Sequence, residues 1–537
     1  MPYKIEPPYY PVVYVRGYAM TENEREDTFH DTYYGFAATS VEKRQVPPPD
    51  YLRADLFEGQ LIRFMKMGRS AYFDATNRGL EDCTDNPSRS LWVCRFYDED
   101  VLKNKLRDIE DHARDLRRLI CENIPQRLEA CGVDLGPERR DYRVILVAHS
   151  MGGLVCRTLI QNILPADNKE PKAWIHRLVT MGTPHKGIEL GRIPDFLERA
   201  VMRGINPYNA NIFEEKRMRE YLKLPKGCEP HSLGEESGPL AFPVKRCFCL
   251  IGSDYESYGA VQHVTGSFSD GLVKQDRAYV ISGKPDANGK YRFEQKAFWA
   301  NVHRAHSGRR GIVNSLESFE NIHRFLFGNI KAEVYLENID VGTGQEKGTE
   351  YYYDVEFALS IRGTPVYLHR RQQDPCENAI RYAREDFETK TVLLHTVFMN
   401  SSLKTAKNQP FSHFQLQFRV RERAIKKGLL WDHEYPEKTV YAEDIEVRVG
   451  DFAEVPAGTA VQYRWLSEGG DWKTAEKGDK GFRIPLRQAG SLSGNFLISA
   501  SPWPDASCQD AGPSPTFEER IAELKKRKPI KLRRGPA

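Results

Sequence analysis

The residues best placed to do chemistry lie in Val144–Val155, VILVAHSMGGLV. Four apolar residues, Val144–Val147, read as a short buried strand, and Gly153–Ile163 reads as a helix. Ser150 sits on the sharp turn between them. Such a turn tolerates only small residues two before and two after the serine, here Ala148 and Gly152, so the usual G-x-S-x-G becomes A-x-S-x-G. This geometry lifts the hydroxyl above the sheet, over a helix N-terminus that favours developing negative charge. A serine presented in this way is suited to attack an acyl carbon, with the amide of Met151 donating to the oxyanion that forms. A lone hydroxyl is a weak nucleophile. The chemistry therefore also needs an imidazole to take its proton and a carboxylate to hold that imidazole in the right tautomer.

The elements that must position these groups are legible as runs. Pro11–Tyr18, PVVYVRGY, reads as a first buried strand ending at Gly17, and Ser90–Tyr97, SLWVCRFY, as another. Residues 20–90 are polar and Pro-interrupted and read as a long insertion, with a helix near Asp55–Met67. Leu102, Leu106, Ile109, Ala113, Leu116 and Ile120 recur at helical spacing; Pro125 is expected to kink or end that helix, and Gly132 to close it. Leu178–Met181 reads as a strand leading into the loop GTPHKG, Val244–Gly252 as a further strand, and Tyr279–Ser282 as a short one. Asn314 and Glu317 look like a capping box opening a helix over Ser315–Phe327. Buried strands alternating with helices predict an α/β fold, a mostly parallel sheet with helices on both faces. Beyond Gly328 the period becomes two. Val355, Phe357, Leu359 and Ile361 alternate, as do Phe414, Leu416, Phe418 and Val420, and Val440–Val449 and Gln462–Leu466 read as strands. That pattern predicts an all-β, antiparallel sandwich. The expected organisation is a catalytic unit over 1–330, a β-sandwich accessory unit over 331–503, and a linker with a basic helix or tail over 504–537.

Composition excludes several classes. The chain has 537 residues, 28% of them charged, and a net charge of +3, which does not suggest a global nucleic-acid binder. No apolar run approaches a membrane span, and the N-terminus lacks the pattern of a secretory signal peptide. The ten cysteines are scattered. Cys247 and Cys249 flank Phe248 on an apparent strand and point to one face, but no second pair exists to complete a zinc site, and no disulfide framework is evident. A reducing, cytoplasmic location with no metal and no cofactor is the expectation. The run KKRKPIKLRR, which follows a short helix opened by Thr516 and Glu519, offers peripheral contact with anionic membrane.

Over residues 10–330 the order strand, sharp serine turn, helix, strand and GTPHKG resembles the α/β-hydrolase lipases and esterases. The resemblance implies a serine nucleophile, an acid and a histidine in that chain order. It places the acid in the SDGLV loop at Asp270, with Asp254 and Asp276 as neighbours able to take the role. It places the base just before the last helix at His306, with His303 as the alternative. Arg16-Gly17 stands where His-Gly is usual, and the amide of Tyr18 or Ala19 would be the second oxyanion donor. His185 reads as structural. The helical stretch 188–230 occupies the position of a lid over the acyl pocket. The activity implied is hydrolysis of carboxylic esters, lipid or phospholipid foremost, with a thioesterase or a deacylase of lipid-modified protein as the alternative. An inactive interaction protein is the reading from another class, supported only by Ala148 and Arg16. A lipase without a signal peptide would also fit delivery by a dedicated secretion system.

Overall fold

Five runs, VVYV, SLWVC, VILVAH, IHRLVTM and CFCLIG, are buried at every position. Continuous burial means that both faces are covered, as in a parallel sheet between helix layers. In the computed structural model the described residues are 2–17, 28–30, 34, 36, 59–67, 71–103, 107–188, 211–257, 268–308, 310–342, 346–403, 410–428, 433–451, 455, 460–487 and 491–504, with the backbone alone of 42–46 and 51–55. The strands are β1 (Val12–Val15), β2 (Phe73–Asp74), β3 (Ser90–Cys94), β4 (Val144–His149), β5 (Ile175–Met181), β6 (Cys247–Gly252) and β7 (Phe298–Val302). They form one seven-stranded sheet in the order β7-β6-β5-β4-β1-β3-β2, parallel throughout. The chain starts in the middle at β1, builds one side, then crosses to β4 and builds the other. The crevice at the carboxyl ends of β1 and β4 is thus a topological switch point, the place where such sheets bind ligands.

Helices cover both faces. On β6, Phe248 stacks on Phe325 of α3 (Leu316–Phe327), with centroids 5.1 Å apart. Cys247 and Cys249 point the other way, toward Arg157 of α2 (Met151–Thr158). Beside α2 runs α1 (Ile109–Arg118).

Several elements differ from expectation for identifiable reasons. The single helix expected from Leu102 is two: Tyr97–Lys103, on which Leu102 is 73% exposed, and α1; Leu106 lies outside the described residues. Pro125 does not end the second one. The helix widens into a π turn over Leu119–Asn123, closed by the Ile124 amide on the Leu119 carbonyl, and resumes as Ile124–Ala130. The helix after Ser150 does the same, through Leu159–Ile163 and then Pro165. The extra residue in each wide turn accommodates a proline that lacks an N–H to offer. Phe73–Asp74, inside the expected insertion, is an edge strand of the sheet, and β7 was not anticipated because FWANV lacks a clear period. The helix near Asp55–Met67 is Gln60–Met65, Val244–Arg246 is a 3-10 turn ahead of β6, and Ile281–Pro285 forms a hairpin with Tyr291–Lys296. The N-cap of α3 is Ser315, not Asn314: its hydroxyl accepts from the Ser318 amide, while Glu317 pairs with Arg304.

From Ile330 onward the strands are antiparallel. A five-stranded sheet carries β8 (Ile330–Asp340), β11 (Val392–Met399), β15 (Gly481–Pro485) and β16 (Ser493–Pro502). An eight-stranded one carries β9 (Thr349–Ile361), β10 (Tyr367–Arg371), β12 (Phe411–Lys426), β13 (Lys438–Gly450) and β14 (Val461–Trp465). Val334 and Leu336 from one sheet share a core with Phe357, Leu416 and Val447 from the other. The two cores meet where Phe398 and Trp503 join Phe325 and Phe298 in one aromatic cluster.

Candidate active site

Strand β4 ends at His149, α2 begins at Met151, and the one residue between them turns the chain. Ser150 has φ 53° and ψ −127°, a conformation that L residues rarely adopt and that surrounding contacts must hold. The Ser150 amide donates to the Met181 carbonyl at 2.9 Å, and the Thr183 hydroxyl donates to the Ser150 carbonyl at 2.8 Å. Close approach explains the small residues. A Cβ on Gly152 would lie 2.3 Å from the Val15 carbonyl oxygen, and one on Gly17 would lie 2.7 Å from the Ser150 Cβ. The strand end of β1 is therefore pressed directly against the serine turn.

The imidazole of His306 is bonded on both sides. Its Nε2 lies 2.9 Å from Ser150 Oγ and its Nδ1 2.9 Å from Asp270 Oδ2. All three residues are buried. The other carboxylate oxygen, Asp270 Oδ1, accepts from the amides of Leu272 and Val273 at 3.0 and 2.7 Å, which fixes the carboxylate in the Ser-Asp-Gly turn. The Asp270 carbonyl in turn accepts from the His306 amide at 2.8 Å. Acid and base loops are thus tied by backbone as well as side chains.

The alternatives lie elsewhere. His303 Nδ1 is 3.5 Å from the Ser253 hydroxyl, and burial lowers its pKa against the pull of Asp254. Asp254 caps the Ser257 amide at 3.0 Å, and Asp276 is exposed on the turn Gln275–Arg277. His185 is fully buried against Thr180 (3.0 Å), and its carbonyl accepts from Arg157 at 2.8 Å, which ties the GTPHKG loop to α2. The Met151 amide is at the first position of α2, where it has no intrahelical acceptor. Tyr18, Ala19, most of the 188–230 stretch and the basic run lie outside the described residues.

One participant was not singled out from sequence. His149, the variable position before the serine, places Nε2 2.9 Å from the His306 carbonyl oxygen. A carbonyl can only accept, so Nε2 carries the hydrogen. Burial, followed by the neighbouring His306 ring at 4.9 Å, holds His149 well below the ordinary histidine range and keeps it neutral. The signal available was the residue type alone, a second imidazole next to the nucleophile.

A fully parallel sheet, a strained serine between its central strand and a helix, and an acid and a histidine from later strand ends together decide the architecture. The fold is that of an α/β-hydrolase. No protein-family model matches the sequence, and no relative is found among curated proteins. Among solved structures the chain is similar to phospholipase PlaB from Legionella pneumophila in complex with thio-NAD. That match has 14% identity and a TM-score of 0.32, and covers 80% of this chain and 89% of the other. It is also similar to the Bacillus licheniformis lipase BlEst2, at 14% identity and TM-score 0.28, over 60% of this chain and 93% of that one. A metagenomic carboxyl esterase matches at 12% identity and TM-score 0.22, over 51% and 61% of the two chains. No helix among the described residues is long and apolar enough to cross a membrane, and no group of His, Cys, Asp or Glu among them is arranged to hold a metal ion.

Proposed function

We propose that the chain hydrolyses carboxylic esters through Ser150, His306 and Asp270, with lipid esters as the preferred class. The observation that carries this reading is the imidazole held at 2.9 Å from both the serine hydroxyl and the aspartate carboxylate. The Ser150 oxygen attacks the ester carbonyl carbon as its proton passes to His306 Nε2. Asp270, already bonded to Nδ1–H, stabilises the imidazolium without taking the proton. The carbonyl π pair moves to oxygen, where the Met151 amide and the N-terminus of α2 stabilise the oxyanion. A second donor from the Tyr18 segment completes the hole. Collapse breaks the bond to the leaving alkoxide, which takes the proton from Nε2 and leaves an acyl-serine. Water then repeats the cycle in reverse: it gives His306 a proton, attacks the acyl carbon and releases the acid.

The apolar character of the 188–230 stretch favours an apolar acyl group. The described end of the 188–230 stretch puts Ile212, Phe213 and Met218 into the same core as the serine turn, and the Phe213 carbonyl accepts from Ile188 at the end of the GTPHKG loop at 3.2 Å. In this reading the stretch acts as a lid. Residues 331–503 serve as an accessory unit, and the basic run Lys525–Arg534 contacts anionic lipid.

The test is direct. A fluorophosphonate probe is expected to label the full-length protein at Ser150 and to leave Ser150→Ala unlabelled. A series of p-nitrophenyl esters is expected to show kcat/KM rising with acyl length. Full esterase activity in the alanine variant would overturn the assignment, and a preference for acetyl over long acyl chains would overturn the lipid class.

A further inference from the structure

Away from Ser150, where the edge strand β7 meets β10 of the second core, basic groups gather without a carboxylate partner among the described residues. Lys296, just before β7, places its ammonium 3.6 Å from the centre of the Tyr279 ring and 4.1 Å from that of Trp299. It forms no hydrogen bond or ion pair with a described residue. Arg371, the last residue of β10, donates through Nε to the Asn378 carbonyl at 2.9 Å, and its two terminal nitrogens find no partner among the described residues. Arg371 repels the Lys296 ammonium, both cations act on His369, and the acidic groups that act on the two cations are the Cys249 thiol and the Tyr382 phenol, with no carboxylate of the described residues among them. Burial, then repulsion from Arg371, pushes the Lys296 ammonium down to about 8.

Most of the unpartnered neutral groups here are donors as well. His369 Nδ1 accepts from the Asn301 amide at 3.1 Å, so its Nε2 carries the hydrogen, and that buried N–H has no acceptor among the described residues. Trp299 Nε1 and Gln275 Nε2 are likewise buried without a described partner, the Gln275 oxygen accepts from the Asn301 side chain at 2.9 Å, and the Asn301 side-chain oxygen is the one acceptor left over in this group. An unpaired buried donor is destabilising, and two like charges held together out of water are more so. A seam with five donor groups, two of them cations without a described carboxylate partner, suits an anion. A carboxylate would bring one charge and two oxygens. A phosphate monoester or inorganic phosphate brings up to two charges and at least three terminal oxygens, which matches the donor set better. Lys296 and Arg371 are each partly exposed, so a ligand can reach the two cations from solvent, whereas Trp299 Nε1 and Gln275 Nε2 are closed to it in this structure.

We propose that Lys296 and Arg371 form a phosphate-binding site at the seam between the parallel sheet and the β-rich half. The site is separate from the triad and does not depend on its activity. Its ligand is a phosphate dianion, whether free or carried as the terminal phosphate of a lipid such as phosphatidic acid.

Calorimetric titration of the full chain tests this, with inorganic phosphate in one arm and dihexanoyl phosphatidic acid below its micelle concentration in the other. The lipid arm uses Ser150→Ala protein, so that no ester is cleaved. Binding in either arm, weakened at least about tenfold by Lys296→Met and by Arg371→Met and kept by Lys296→Arg, is the expected result. The arm that binds more tightly identifies the source. Unchanged urea midpoints in the variants show that the loss is local; if a methionine variant unfolds, the arginine variant and the wild-type titration decide. Absence of binding by wild type in both arms overturns the proposal, as does unweakened binding in the doubly substituted protein.

Discussion

Asp270 and Asp354 are both buried aspartates, 1% and 2% exposed, and they spend their charge differently. Asp354, on β9, is held by Arg381 and Arg423, each at 2.7 Å. Burial alone would raise its pKa, but the hydrogen bonds and charges of the two guanidiniums outweigh that and lower it. Neither arginine can give up a proton, so that cluster stitches β9 to its neighbours and does nothing more. No arginine among the described residues pairs with Asp270. Two backbone amides hold one oxygen and an imidazole holds the other. Its charge is aimed at a group that gains and loses a proton, and that group is aimed at a hydroxyl. Burial and charge are common to both sites; the protonic freedom of the partner distinguishes them.

The comparison is broken most severely by removing the hydroxyl. Ser150→Ala is expected to lower kcat for ester hydrolysis by about a million-fold, to background, with an unchanged thermal midpoint. Asp270→Asn comes next, about 10⁴-fold in kcat, because an amide opposite Nδ1 selects the wrong tautomer. The matching change in the other half, Asp354→Asn, is expected to leave kcat/KM alone. It should cost roughly 1–3 kcal/mol of stability in urea unfolding, less than for a fully buried pair because Arg381 is half exposed. If Asp354→Asn impairs catalysis as Asp270→Asn does, the distinction fails. His149→Phe keeps a ring beside His306 but removes the N–H that its carbonyl accepts, and is expected to lower kcat about 10- to 100-fold while KM changes little. An unaltered kcat would make that contact merely structural.

The sequence carried the architecture unevenly. Ser150 was legible because a strand, a small-residue turn and a helix make one local pattern. Asp270 and His306 were not derivable from pattern alone. Each is a loop residue placed by strands β6 and β7, and β7 was invisible because an edge strand with Phe298 facing aromatics and Trp299 facing the opposite crevice shows no single period. Resemblance to a family supplied their chain positions, and the structure brings His306, rather than His303 three residues earlier, beside Ser150. Pro125 misled for another reason: helix-breaking rules assume an α-helical ladder, and this helix shifts to a wider one just ahead of the proline, as the helix after Ser150 does ahead of Pro165. The second half was easier, since strands such as Phe411–Lys426 keep period two over most of their length and face one core.

The same contrast extends to imidazoles. His306 has a carboxylate at Nδ1 and can accept a proton during the reaction. His323 on α3 and His395 on β11 have none, and burial holds both down to about 3. Their unfolded value is 6.5, so between about 6.5 and 3 the unfolded chain binds protons that the folded chain refuses. The folded state is therefore fully stable, with respect to these groups, above pH 6.5, and loses stability as pH falls toward 3. Each contributes a slope of about 1.4 kcal/mol per pH unit in that window. His323→Leu and His395→Leu remove the titration while keeping an apolar side chain. Each is expected to flatten the decline of the unfolding free energy from urea titrations between pH 7.5 and 5 by that slope over the part below 6.5, one reporting on the parallel-sheet half and the other on the β-rich half. A decline as steep as wild type in both variants would mean that acid enters through the carboxylates instead, with the buried pair at Asp354 the first place to look.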